Sequence, residues 1–271
     1  MKISGMTSLF GGMITCTALM FLVAGSNSVL AQNDELGNKG SLKVETTDKT
    51  EPLDPENPSN PVDPDTDYST TGDLRIDFVS PINFGANKIT ETNRKYAALA
   101  QQYVGDTPAR ANYIQVTNQQ DTEVGWSLQI RQDHQFTSVT KDPRLADELK
   151  GAVLSLDKGW ANSLSESRPP TVTRETIAIN EMGVSYEVAS AKPKEARGTW
   201  FISFGASEQN HNNQTATLSP AVDDKKNQLV DEKNKKPIIK NSAVTLTVPD
   251  SVTIQPVSYE TELTWVLGKL P

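Results

Sequence analysis

Apolar and polar residues alternate along several short stretches, and a period of two marks each as a strand with one buried face. In residues 74–79, Leu74, Ile76 and Phe78 alternate with Arg75, Asp77 and Val79, and Pro81 with Phe84-Gly85 ends the run. Trp126, Leu128 and Ile130 share a side opposite Ser127, Gln129 and Arg131, and Leu263, Trp265 and Leu267 repeat the arrangement opposite Thr264 and Val266. Trp200, Ile202 and Phe204 line one face of residues 199–204. Residues 112–117 lead through a polar connection into 123–131, which predicts a hairpin. Further β-branched or alternating runs at 152–156, 171–179, 184–189, 243–248 and 251–255 predict more strands. One helical signal interrupts them: Asp142 caps, Pro143 fits the first position, and Gly151 stops the turn or two in RLADELK. Residues 209–240 are polar and predict an exposed loop. Many short strands with a single helix signal predict an all-β fold, an antiparallel β-sandwich or barrel-like domain with one short helix, over residues 73–271.

The chain ahead of that domain has a different character. Lys2, the mostly apolar residues 13–23 and Val29-Leu30-Ala31 predict a signal peptide over residues 1–31, so the protein is expected to be secreted. Cys16, the only cysteine, lies inside it and would leave with it. A mature chain without disulfides must be held by its core alone. Residues 32–72 carry ten acidic residues and three lysines, which concentrates most of the overall charge of -8 there. A short strand is possible at 41–45. Pro52, Pro55, Pro58, Pro61 and Pro64 follow at a spacing of three, the repeat of a polyproline II helix, and would form a ridge roughly 37 Å long. This composition reads as an acidic, Pro-rich linker. No second apolar run is long enough to span a bilayer, and no Leu-Pro-x-Thr-Gly sorting signal closes the chain, so membrane insertion and covalent sorting are not expected.

Candidate chemistry is sparse. A serine triad would need His134 or His211, and neither lies near a nucleophile elbow. No His-x-x-x-His or cysteine pair supplies metal ligands, and no cofactor is expected. Asp77, Glu123, Glu187 and Glu262 could be drafted into a glycosidase pair but fit equally well as solvent-facing strand residues. The negative balance and lack of a basic stripe disfavour nucleic acid.

Two Trp-x-Leu motifs, Trp126-Ser127-Leu128 and Trp265-Val266-Leu267, stand in order with LRIDFVSPINFG, GTWFISFG and VTLTVPD. Together they resemble the WxL-domain surface proteins of Gram-positive bacteria over roughly residues 40–271. Pro256-Val257-Ser258 stands where the family usually has Pro-Gly, and Gly268-Lys269 follows the last motif leucine. The resemblance implies a non-catalytic extracellular protein, associated with the cell wall by non-covalent binding to peptidoglycan. It also implies partnership with other WxL proteins and membrane-anchored surface proteins, and in some members contact with host matrix. Adhesion to a host or plant polymer is the alternative, and wall hydrolysis a third. The tryptophans carry the binding question. Trp126 and Trp265 have Leu and Ile neighbours and read as core, with Leu128 and Leu267, packed together across the sheets; stacking on sugar rings is the other role open to them. Trp160, beside Lys158-Gly159, reads as an exposed contact, and Trp200 completes the candidate set.

Overall fold

The structure is a computed structural model that describes residues 49–66, 69–120, 124–140, 148–232 and 234–270. These residues fall in one compact unit, Glu45–Pro271. The expected signal peptide and the strand at 41–45 lie outside the described residues. Among the described residues there are fifteen strands, numbered here in chain order, and no helix. Residues 141–147, most of the expected helical turn, are outside the description, and Glu148 beyond them bridges to Thr137.

The first sheet runs β1 (Leu74–Val79), β3 (Asn112–Asn118), β11 (Gly198–Phe204), β7 (Gly159–Asn162). The second runs β15 (Leu263–Leu270), β4 (Gly125–Gln132), β10 (Ser185–Ala191), β8 (Thr171–Val172). A third is ordered β12 (Leu218–Pro220), β13 (Ile239–Thr247), β6 (Val153–Leu156), β9 (Ile177–Ile179), with β2 (Lys95–Leu99) also on β13. β14 (Tyr259–Glu260) and β5 (Thr137–Ser138) form a two-stranded ribbon. The inner faces of the three larger sheets share one core that includes Ile114, Trp126, Leu128, Leu154, Ile202 and Val244. Burial of these faces is the main stabilising term in a chain of short strands.

Several local expectations give way to this packing. β3 and β4 do not form a hairpin: they sit in different sheets, and β3 lies between β1 and β11. The run at 171–179 splits into β8 and β9, in different sheets, and residues 251–255 form no strand. In β1 a bulge between Ile76 and Phe78 breaks the alternation. Ile76 enters the main core, while Phe78 joins Tyr113, Phe201 and Tyr103 in a separate cluster on the outer side of the first sheet.

Residues 49–66 cover that outer side. They fold into a turn in which Asp54 N donates to Asn60 O (2.9 Å) and Val62 N to Pro52 O (3.0 Å), so the five prolines do not form an extended ridge. The side chains decide this: Asp54 Oδ1 accepts from Glu56 N at 2.9 Å, the Asx geometry that initiates turns. Gln115 exchanges hydrogen bonds with Leu53 N (2.9 Å) and Glu51 O (3.0 Å), and Arg110 grips both Asp54 oxygens at 2.8 Å. Beneath lies a buried polar layer in which Arg75 Nε donates to Asp77 Oδ1 at 2.9 Å. Burial raises the Asp77 carboxyl above the ordinary carboxylate range despite the Thr117 hydroxyl and the Arg75 charge.

Candidate functional site

The two Trp-x-Leu motifs meet in one sheet. β15 pairs antiparallel with β4, placing Leu267 opposite Leu128, Trp265 opposite Ile130 and Lys269 opposite Trp126. Trp126 and Trp265 are therefore on neighbouring strands of the same sheet, not across sheets, and four residues of offset separate them by roughly 13 Å. Trp126 and Leu128 are fully buried, whereas Trp265 and Leu267 on the outermost strand of the sheet are half-buried against the same core. Gly125, just ahead of Trp126, lets β10 approach closely: a Cβ there would lie 2.3 Å from Ala191 O. The Trp126 indole nitrogen has no hydrogen-bond partner among the described residues.

Trp160 is not an exposed contact. It is 6% exposed, because β7 pairs with β11 and the indole donates to Gly205 O at 2.7 Å. Trp200 is also buried, its nitrogen donating to Arg197 O at 3.0 Å. Of the four tryptophans only Trp265 keeps a partly open side chain. Among the acidic candidates Asp77 is buried and paired with Arg75, Glu187 and Glu262 are exposed, and Glu123 lies outside the described residues.

A concavity opens beside the start of β15. It is a groove of about 1220 Å³ between residues 81–89 and residues 254–261, with Leu263 at one end. Its floor is a second apolar cluster built on Phe136, Leu149, Leu246 and Val248, against which Phe84, Tyr96, Ile254 and Tyr259 pack half-buried. Phe84 and Phe136 meet edge to face at 6.1 Å. The 81–89 wall turns at Gly85, whose φ of +65° favours glycine and whose N–H donates to Asn83 Oδ1 at 2.7 Å. The opposite wall is braced from behind by buried Arg94, which donates to Pro249 O (3.2 Å) and Asp250 O (3.3 Å) and also to Val252 O.

The motif strand anchors this wall. Val139 N donates to Ser258 O (3.0 Å), Asp133 N to Glu262 O (3.0 Å), and Gln132 Nε2 to Thr261 Oγ1 (3.2 Å), tying the approach to β15 onto the end of β4. The Thr264 hydroxyl, and then Arg131, hold the Asp133 carboxyl below the ordinary carboxylate range. The groove residues come from separate stretches with no common spacing, so sequence reasoning missed Tyr96, Phe136, Ile254 and Tyr259. The stretches LRIDFVSPINFG and VTLTVPD and the Pro256-Val257-Ser258 turn lay beside them, but nothing in their spacing joined them into one site.

The groove is aromatic at its floor and polar at its rim, the composition of a site that orients a ligand by a few hydrogen bonds over an apolar surface. Ionisable side chains around it are few: Lys88, bonded to Asp224, and Glu260, besides the tyrosines. Among the described residues no group of three or more His, Cys, Asp or Glu is placed to hold a metal. No helix of the described residues is long and apolar enough to cross a membrane.

No curated protein and no solved structure matches the chain. A family model described as WxL domain surface cell wall-binding matches residues 31–271. With that match and both Trp-x-Leu motifs paired in one sheet, the chain belongs to the WxL domain family of cell wall-binding surface proteins.

Proposed function

We propose that this protein is exported and held non-covalently on peptidoglycan through its WxL domain, as a non-catalytic component of a surface complex. The observation that carries the proposal is the family match over residues 31–271. The position of the motifs gives it a physical form. Trp126 and Leu128 belong to the core and Trp265 and Leu267 close its outermost strand, so the motifs serve attachment by completing the domain that binds. Other WxL proteins and membrane-anchored surface proteins are the proposed partners.

Co-sedimentation of the purified chain, residues 32–271, with peptidoglycan sacculi tests this. Sedimentation by the protein alone is the expected result. Retention only when a partner protein is supplied would place the wall contact on the partner. Release of soluble muropeptides would overturn the non-catalytic role. Binding to host matrix but not to sacculi would make the protein an adhesin.

A further inference from the structure

We infer that the outer face of the first sheet is a recognition site for a short peptide, filled here by residues 51–56, and that a second copy of this chain supplies the same segment when copies are crowded. The inference is independent of the wall attachment proposed above. Three observations lead there.

The first is how the segment is held. No residue of 49–66 belongs to a strand, and among the described residues one β-bridge, Asp63 to Val104, joins this stretch to the sheets. Side chains of the face hold its main chain instead. Gln115 Nε2 donates to Glu51 O (3.0 Å) and Gln115 Oε1 accepts from Leu53 N (2.9 Å). The Tyr113 hydroxyl donates to Leu53 O (3.2 Å), Asn162 Nδ2 to Pro55 O (2.9 Å) and Asn212 Nδ2 to Glu56 O (3.3 Å). A main chain gripped by side chains, without a ladder, has the arrangement of a docked Pro-rich peptide.

The second is selectivity. Asp54, only 2% exposed, gives both carboxylate oxygens to Arg110 at 2.8 Å, and a bidentate arginine fixes direction as well as charge. Glu56 accepts from Ser207 N at 2.6 Å and lies 3.3 Å from Arg110 Nη1. Leu53 packs half-buried on the cluster of Phe78, Tyr113 and Phe201. Pro55 brings no N–H that would need a partner. Leu-Asp-Pro-Glu at 53–56 is therefore the signature that the face recognises.

The third is the connection. Residues 67–73 join the segment to β1, and a stretch of that length spans up to roughly 25 Å when extended. Thr70, whose N–H donates to Ile76 O at 2.8 Å, is the tie that such extension breaks. Every contact above is open to the same segment of a second copy, so the contact energies cancel and exchange of identical elements becomes a low-cost route to a dimer. A short tether holds the segment at an effective concentration of about a millimolar. The segment therefore docks on its own sheet in dilute protein, and exchange grows with crowding.

The test uses disulfides. Residues 32–271 contain no cysteine, so Asp63→Cys and Val104→Cys, both at exposed positions, supply the only thiols, and bridge partners lie within disulfide reach. Both substitutions in one dilute chain are expected to close a disulfide within the monomer. A chain with Asp63→Cys and a chain with Val104→Cys, refolded together from urea, are expected to give a linked dimer on a non-reducing gel. Its yield should rise with protein concentration, and neither chain alone should form it. Asp54→Ala added to the Asp63→Cys chain is expected to lower the yield roughly tenfold or more, and the milder Glu56→Gln roughly 2- to 12-fold. No dimer at any concentration, or a yield unchanged by both substitutions, overturns the exchange. A double-cysteine monomer that stays reduced under oxidising conditions overturns the docking itself.

Discussion

Replacing Trp126 with alanine removes the largest of the fully buried side chains in the core. Deletions of buried aromatic side chains of this kind cost about 3–5 kcal/mol, against a total stability of about 5–15 kcal/mol for a typical domain. At about 2–4 °C per kcal/mol for a chain of this size, the melting midpoint should fall by roughly 6–20 °C. Trp126→Phe provides the control. It keeps a ring in the site and removes an indole N–H that is buried without a partner among the described residues, a group whose desolvation costs about 1–3 kcal/mol. That gain offsets much of the lost ring volume, so the Phe variant should melt within a few degrees of wild type. Circular dichroism melts and sacculus sedimentation at room temperature, applied to all three proteins, separate stability from contact. The Phe variant should sediment like wild type. A Phe variant that melts normally and fails to sediment would make the indole a wall contact and refute the core assignment, and an alanine variant that melts like wild type would refute the energetic argument.

Other consequences follow from the same structure. Trp265→Ala, at a half-buried position on the outermost strand, should cost about 1.5–3 kcal/mol, less than Trp126→Ala, as read from urea midpoints. Asp54→Ala removes the carboxylate that Arg110 holds through two hydrogen bonds, at a site where the arginine side chain is only 11% exposed, and leaves Glu56 Oε2 at 3.3 Å as its remaining partner; destabilisation by about 1.5–3 kcal/mol and faster proteolysis within residues 49–66 are expected, and unchanged proteolysis would argue against packing of that segment. The raised Asp77 carboxyl means that the folded chain holds this proton more tightly than the unfolded chain. Its contribution to stability is therefore present below the ordinary carboxylate value of 3.8 and lost as pH rises through the raised value. Urea midpoints of Asp77→Asn and wild type should diverge in slope across that window and run parallel above it.

The parts legible in the sequence are those where one strand's own alternation decides which face is buried. Trp126-Leu128-Ile130 and Trp200-Ile202-Phe204 enter the core as their period of two requires, and the motif pairs carried the family. What was not legible depends on partners far along the chain. Residues 112–118 and 125–132 look like a hairpin, yet β3 finds β1 and β11 while β4 finds β10 and β15. Trp160 follows Lys158-Gly159 and looks like a loop residue, but Gly159 packs so closely on Thr173 that a Cβ would lie 2.7 Å from its carbonyl oxygen, and the indole reaches Gly205. The prolines at every third position suggested an extended helix, and the Asp and Asn residues between them made a turn. The groove was invisible because its walls come from residues far apart in the chain, brought together by β13 and the entry to β15.

A chain ending at Glu262, which lacks all of β15, places the greatest strain on the claim that the last motif strand completes the wall-binding domain. Compared with the intact protein by thermal melting and sedimentation with sacculi, the shortened chain should lose both its cooperative transition and its attachment. If it stays compact and sediments as well as the intact protein, the motif strand is dispensable and the account is wrong.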